Sequence, residues 1–278
     1  MDRLLRRFVG LRWALRRWRQ RPHGLSAPLI VSLTSFPARY ETLALTLKCL
    51  LSQSARPDRV ILWVAAEHQA NLPRAVRDLV PLGLTIGICD NALRSHNKYI
   101  HTRRQYPGAF IATADDDTYY WSDWLAELIA GLDPQQRIIP GHRMHRIVLG
   151  TDDGPAPYRD WQWETHDRLA SVLIFPTGVG GILYPPDCLH PDADRADRIL
   201  DLCPHADDVW LYWMALRNDY QFCKVARWRP LHHWRDSQEH GLMWGNVFNS
   251  NGNDAQIAAM IAVYGWPPST AGLAVNDD

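Results

Sequence analysis

"FIATADDDTYYWSDW", residues 110–124, runs an apolar stretch into three successive aspartates and then into a cluster of aromatic residues. The apolar part has the length and composition of a buried β-strand. Like charges gathered at its end repel one another unless something of opposite sign faces them. A solvated turn, or a cap on the helix predicted over "WSDWLAELIAGL", would also place aspartates here. Two features favour a site. The cluster ends an apolar strand rather than lying in a polar loop, and a second acidic pair, Asp207 and Asp208, precedes the aromatic helix "VWLYWMAL". Carboxylates at i and i+2 after a strand can face one way and share one hard cation, which would relieve the repulsion.

Working outward, "PLIVSLTSFPARY" (28–40) reads as a strand and loop, "ETLALTLKCLLSQ" as a helix with Leu43, Leu47, Leu50 and Leu51 on one stripe, and "DRVILWVA" as a second strand. A short helix near 72–79, the strand "LTIGICD" and a helix or turn through "SHNKYIHTRRQY" lead into "AFIATADDD". This alternation predicts an α/β fold with a mostly parallel central sheet covered on both faces. Ligands of such sheets collect at the carboxyl ends of strands, where Thr34, Ser35, Asp90 and Asp115–Asp117 should converge. Neither the glycine fingerprint of dinucleotide folds nor a P-loop is present, and a divalent metal is the usual substitute for holding phosphate. The second half, with "GPAPYRDWQWE", "FPTGVGGILYPP" and "ARWRPLHHW", reads as loops and short strands rich in Pro, Gly and Trp and suits an acceptor pocket.

At 278 residues and 46% hydrophobic, the chain has the makings of a folded, enzyme-sized unit without repeats. Its net charge of zero conceals a basic head: residues 1–21 hold eight Arg and one Asp. There Leu4, Phe8, Leu11, Leu15 and Trp18 recur at helical spacing among arginines, which predicts a basic amphipathic helix over 1–24 ahead of one domain over 25–278. The arginines interrupt any span long enough to cross a bilayer and any signal-peptide core. Such a helix either lies on an anionic cytoplasmic leaflet or packs on protein, and its Leu, Phe and Trp suit lipid better than nucleic acid. Five cysteines without a CxxC pair indicate neither zinc nor a disulfide scaffold, and fit a reducing cytosol. The expected location is cytoplasmic, peripheral on the inner face of the plasma membrane.

The ordered set "VSLTSFPARYETLALTLKCLLSQSARPDRVILWV", "SHNKYI", "TADDDTYY", "TGVGGILYPP" and "CPHADDVWLYWMA" resembles metal-dependent glycosyltransferases of the GT-A fold with an Asp-x-Asp motif, among them bacterial enzymes that assemble surface polysaccharides. The likeness spans roughly residues 28–235 and implies a nucleotide-binding half and an acceptor half. It implies Mn²⁺ or Mg²⁺ on Asp117, with Asp115 on metal or ribose and Asp116 near the donor sugar. Thr34, Ser35, Arg39 and Asp90 would line the nucleoside, and Lys98 would face the diphosphate as a point charge. Gly180 and Gly181 would border donor and acceptor, unless they serve only a tight bend. Asp208 would be the general base of an inverting enzyme, with Asp207 beside it, although one of the two also suits a helix N-cap. His232 and His233 stand where a third metal ligand is found, a feature commoner in retaining members. The tryptophans Trp121, Trp124, Trp161, Trp163, Trp210, Trp213, Trp228 and Trp234 gather in the acceptor half, where a few would stack on sugar and most would be core.

The expected function is transfer of a sugar from a nucleotide-sugar donor to a glycan or lipid-linked acceptor. A metal-dependent nucleotidyltransferase or phosphohydrolase would also want clustered aspartates after a parallel strand, and a non-catalytic carbohydrate-binding module is the third alternative.

Overall fold

The computed structural model describes residues 2–133, 135–151, 153–225, 229–234 and 252–266. Helix α1 (Asp2–Arg19) precedes strand β1 (Leu29–Thr34), helix α2 (Tyr40–Leu51), strand β2 (Arg59–Ala65) and strand β3 (Leu84–Cys89). Next come α3 (Asn97–Gln105), β4 (Phe110–Thr113), α4 (Trp124–Ala130), β5 (Ile138–Gly141), β6 (Met144–Arg146), β7 (Ile174–Pro176) and β8 (Ile182–Tyr184). The described chain ends with α5 (Ala196–Leu202), α6 (Asp207–Leu216), β9 (Gln221–Lys224) and α7 (Asn253–Tyr264). The short helix expected over 72–79 is a single turn, Arg74–Arg77, followed by a 3₁₀ turn at Val80–Leu82.

Seven strands form the central sheet in the order β9-β5-β8-β4-β1-β2-β3. All neighbours pair in parallel except β8, which runs against both β4 and β5. β6 and β7 make a separate antiparallel pair. The alternation of side chains across the pleat divides the interior in two. Ile111, Ile182 and Tyr184 join the cluster that includes Val209, Trp210 and Trp213 of α6, whereas Ala112 and Leu183 face the cluster that includes Leu43 and Leu47 of α2. The central strand β1 is apolar on both faces because it is covered on both. Its one buried hydroxyl is satisfied: Ser32 Oγ donates to the Lys98 carbonyl at 2.5 Å and lies 2.7 Å from Thr102 Oγ1, which ties α3 to the sheet.

Helix α1 packs on α2, but not through the stripe that its spacing singles out. Val9 and Arg12 are buried and Leu5 and Trp13 pack against the core, while Leu4, Phe8, Leu11, Leu15 and Trp18 are exposed. The reason is Arg12. Its guanidinium donates to Ser52 Oγ at 2.8 Å, to the Tyr120 carbonyl at 2.7 Å and to the Cys49 carbonyl, so the buried charge is matched by three acceptors and fixes which face turns inward. A two-residue ladder, Arg21–Pro22 on Ala55–Arg56, secures the exit of the helix. Among the described residues no helix is long and apolar enough to cross a membrane. All five cysteines are free and buried.

Candidate active site

Strand β4 carries the chain from the interior to the carboxyl end of the parallel strands, and Asp115–Asp117 follow its last residue by two positions. The three aspartates take three different sets of partners. Asp115 Oδ1 pairs with Lys98 Nζ at 3.2 Å, and its main-chain N–H donates to the Tyr120 hydroxyl at 2.7 Å. Asp116 is buried and accepts from Ser35 Oγ at 2.5 Å. Burial pushes its carboxyl up to about 7, helped by the Asp117 charge and opposed by the Ser35 bond. Asp117 is clamped by Arg39, and its other oxygen lies 3.5 Å from His233 Nδ1. Burial opposes its ionisation, but His233 and Arg39 outweigh burial and bring the carboxyl down to about 2. The repulsion evident in the sequence is thus relieved by Lys98 and Arg39, and by the proton that Asp116 retains near neutrality.

Lys98, on the first turn of α3, reaches across to the second acidic pair. Its Nζ lies 3.0 Å from Asp207 Oδ2, at the start of α6. Burial works against this ammonium, yet Asp115, Asp207 and Asp208 together hold it well above the usual lysine range. Asp207 and Asp208 are adjacent but unlike. Asp207 is buried, and despite that burial Lys98 and His96 hold its carboxyl below the ordinary value. Asp208 is only half-buried; burial and the neighbouring Asp207 charge push it up to about 7 against the pull of Lys98 and of a hydrogen bond from the Gly178 N–H. A pair of carboxylates driven apart in this way offers one fixed charge and one group that exchanges a proton near neutrality.

The glycine-rich loop between β7 and β8 closes over this pair. A Cβ on Gly178 would stand 2.8 Å from Asp208 Oδ1 and 3.0 Å from Lys98 Nζ. Gly178 is therefore the glycine that touches the charged groups, and the sequence offered no signal beyond the cluster itself to prefer it to its neighbours. Gly180 and Gly181 have φ of +100° and +97°, and a Cβ on Gly181 would lie 2.4 Å from the Trp124 ring, whose Nε1 donates to the Gly180 carbonyl at 2.6 Å. Backbone conformation and the close approach of Trp124 account for both.

The remaining residues singled out by sequence fall as follows. Thr34 Oγ1 donates to the Trp63 carbonyl at 3.1 Å, one residue before Ser35 at the end of β1. Asp90 is exposed and accepts from the Ala92 N–H at 3.0 Å, closing the turn after β3. His233 bridges Thr118 in antiparallel fashion, so successive side chains point to opposite sides. The His233 ring meets Asp117 and Thr118, and the His232 ring lies edge-on to Trp121. Among the described residues no group of three or more His, Cys, Asp or Glu is arranged to hold a metal ion. The donors that do meet are Asp117 Oδ1 and His233 Nδ1, with Thr118 Oγ1 at 3.2 Å and 3.3 Å from them. An imidazole nitrogen beside a carboxylate oxygen suits a Mn²⁺-like ion whose other ligands come from a bound phosphate or water.

Beside the acidic loop lies a half-open pocket with walls that include Thr118, Trp121, Trp124, Arg143, Gly180 and Lys224. It abuts the loop at Thr118 and the glycine-rich turn at Gly180, while Lys98, Asp207 and Asp208 are not among its walls. Trp124, Trp161, Trp210, Trp213 and Trp234 are buried as core, Trp163 is exposed, and Trp228 lies outside the described residues.

No protein-family model matches the chain, and no curated protein matches its sequence. Its three-dimensional form does have counterparts. The mannosyltransferase PcManGT from Pyrobaculum calidifontis, solved with GDP-Man and Mn²⁺, superposes with a TM-score of 0.53 at 15% identity over 96% of this chain and 78% of that one. S. aureus TarS, residues 1–349, superposes with a TM-score of 0.48 at 12% identity over 85% of this chain and 72% of that one. The inositol-1-phosphate CTP transferase from T. maritima gives 0.38 at 7% identity over 72% and 86%. The chain has a GT-A-like α/β fold, a central and mostly parallel sheet flanked by helices, preceded by the N-terminal helix α1.

Proposed function

We propose that the protein transfers a glycosyl group from a nucleotide-sugar donor to an acceptor hydroxyl. The observation that carries this reading is the convergence of the Asp115–Asp117 loop with Lys98 and the Asp207–Asp208 pair at the carboxyl ends of parallel strands. On a fold shared with a nucleotide-sugar enzyme, that edge is where a donor would lie.

In this reading Thr34, Ser35 and Arg39 border the nucleoside, and Lys98 supplies positive charge toward the diphosphate. Asp117 and His233 would hold Mn²⁺ or Mg²⁺, which when bound neutralises charge developing on the departing diphosphate. Asp208, accessible and with its carboxyl raised to about 7, accepts the proton of the attacking acceptor hydroxyl. Asp207 stays ionised and fixes Lys98. A base on the acceptor side implies inversion at the anomeric carbon. The pocket beside Trp121 suits the apolar face of an acceptor sugar.

The test is thermal unfolding against GDP-mannose and the common UDP, CMP and dTDP sugars, each with and without Mn²⁺, on the wild type and Asp117→Asn. A ligand at a hundred times its Kd stabilises the fold by about 2.7 kcal/mol. A metal-dependent shift with one nucleotide class, lost in the variant, supports the reading. No shift with any donor overturns it, and turnover of a phosphate ester or a nucleoside triphosphate without transfer of sugar assigns the site to phosphohydrolysis or nucleotidyl transfer.

A further inference from the structure

Helix α1 presents to the outside the residues that an amphipathic helix ordinarily hides. Phe8 is 61% exposed, Leu11 59% and Trp18 80%, with Leu4 and Leu15 on the same line. At 3.6 residues per turn these five fall within an arc of about 80°. Arg7 and Arg19 are exposed at its two margins. The helix is not free to roll and bury this stripe, because Arg12, on the flank that packs on the body with Val9, is bound to Ser52, Cys49 and the Tyr120 carbonyl. An isolated exposed leucine needs no explanation; an aligned set with arginine margins does.

We propose that this face of α1 docks on an anionic lipid bilayer, with Leu4, Phe8, Leu11, Leu15 and Trp18 entering the headgroup boundary and Arg7 and Arg19 meeting lipid phosphates. Arginine margins select a negatively charged surface over a neutral partner or a second copy of the same basic helix. The docked helix lies next to the candidate site: Arg6 sits over the Trp234 ring at 5.9 Å, and the Trp234 N–H donates to the Asp117 carbonyl at 2.9 Å. If the transfer reading holds, an acceptor carried by a lipid reaches the site along this edge. Lipid docking itself does not rest on that reading.

The experiment is co-sedimentation of the full chain with vesicles of phosphatidylcholine alone and of phosphatidylcholine with one third phosphatidylglycerol, at low and high salt. Wild type should bind the anionic vesicles and lose binding at high salt. Leu11→Glu combined with Trp18→Glu should lower partitioning at least about tenfold. Both side chains are exposed, so the unfolding midpoint of the double variant should stay at the wild-type value. Failure of wild type to sediment with anionic vesicles, or equal binding by the double variant, overturns the proposal. A solution dimer that the double variant disperses also overturns it and assigns the stripe to a second copy.

Discussion

Lys98 Nζ lies 3.0 Å from Asp207 Oδ2, and this contact joins the helix after β3 to the helix that carries the second acidic pair. Lys98→Met would leave Asp115, Asp207 and Asp208 facing one another without their shared cation. Breaking a buried ion pair by removing one partner costs about 3–5 kcal/mol. We expect a loss of that order in thermal or urea unfolding, with turnover abolished. Lys98→Arg should not restore activity, because Nζ already meets Asp115 at 3.2 Å and Asp207 at 3.0 Å and a longer, planar guanidinium does not reproduce that point charge.

The rate should follow the proton on Asp208. Its carboxyl titrates at about 7, and a general base acts only when ionised. Log kcat/KM is therefore expected to rise with pH to a plateau just above neutrality. Asp208→Asn should remove this limb and lower kcat by ~10²–10⁴ while leaving donor binding intact, as measured by donor titration.

Asp116 governs stability through the same range of pH but with its own signature. The folded chain keeps its proton up to about 7, whereas the ordinary value is 3.8. Between those values the folded state binds more protons than the unfolded state, so this group makes stability fall as pH rises through the window. Asp116→Asn should flatten that slope and raise stability above pH 7 by roughly 1–3 kcal/mol, less the cost of altering the Ser35 contact. Unfolding free energies of wild type and variant from pH 4 to 8 are the measurement.

Two glycines of one loop should fail in different ways. Gly178→Ala would press a methyl group on Asp208 and Lys98, and is expected to depress turnover at least about tenfold with a modest loss of stability. Gly181→Ala meets both a left-handed φ and the Trp124 ring, so its penalty should appear in the unfolding midpoint. Comparing kcat with Tm for the two variants separates the cases.

The alternation of strands and helices up to β4 was legible because each strand is an apolar run ended by polar residues and α2 carries its leucines on one stripe. A short strand within "FPTGVGGILYPP" was legible but its position was not: the antiparallel place of β8 between β4 and β5 is set by tertiary pairing. The acidic cluster was visible as a type of residue, but its partners were not. Arg39 and Lys98 meet the aspartates only after the sheet has assembled, and nothing in the spacing foretold that neighbouring carboxylates would divide between them. The face of α1 that packs on α2 was hidden for a simpler reason. Apolar residues occur on two sides of the helix, and the side chosen depends on a buried arginine that hydropathy counts against burial.

Arg12 makes the N-terminal helix part of the floor under the acidic loop. Its guanidinium holds the Tyr120 carbonyl, and the hydroxyl of the same tyrosine holds the Asp115 N–H. A chain cut to begin at residue 25 would therefore leave the Tyr120 carbonyl without its Arg12 donor beneath the loop, loosening the tyrosine whose hydroxyl holds the Asp115 N–H. The helix proposed to meet lipid and the loop that carries the aspartates are thus braced by the same arginine, so a change to one is felt by the other.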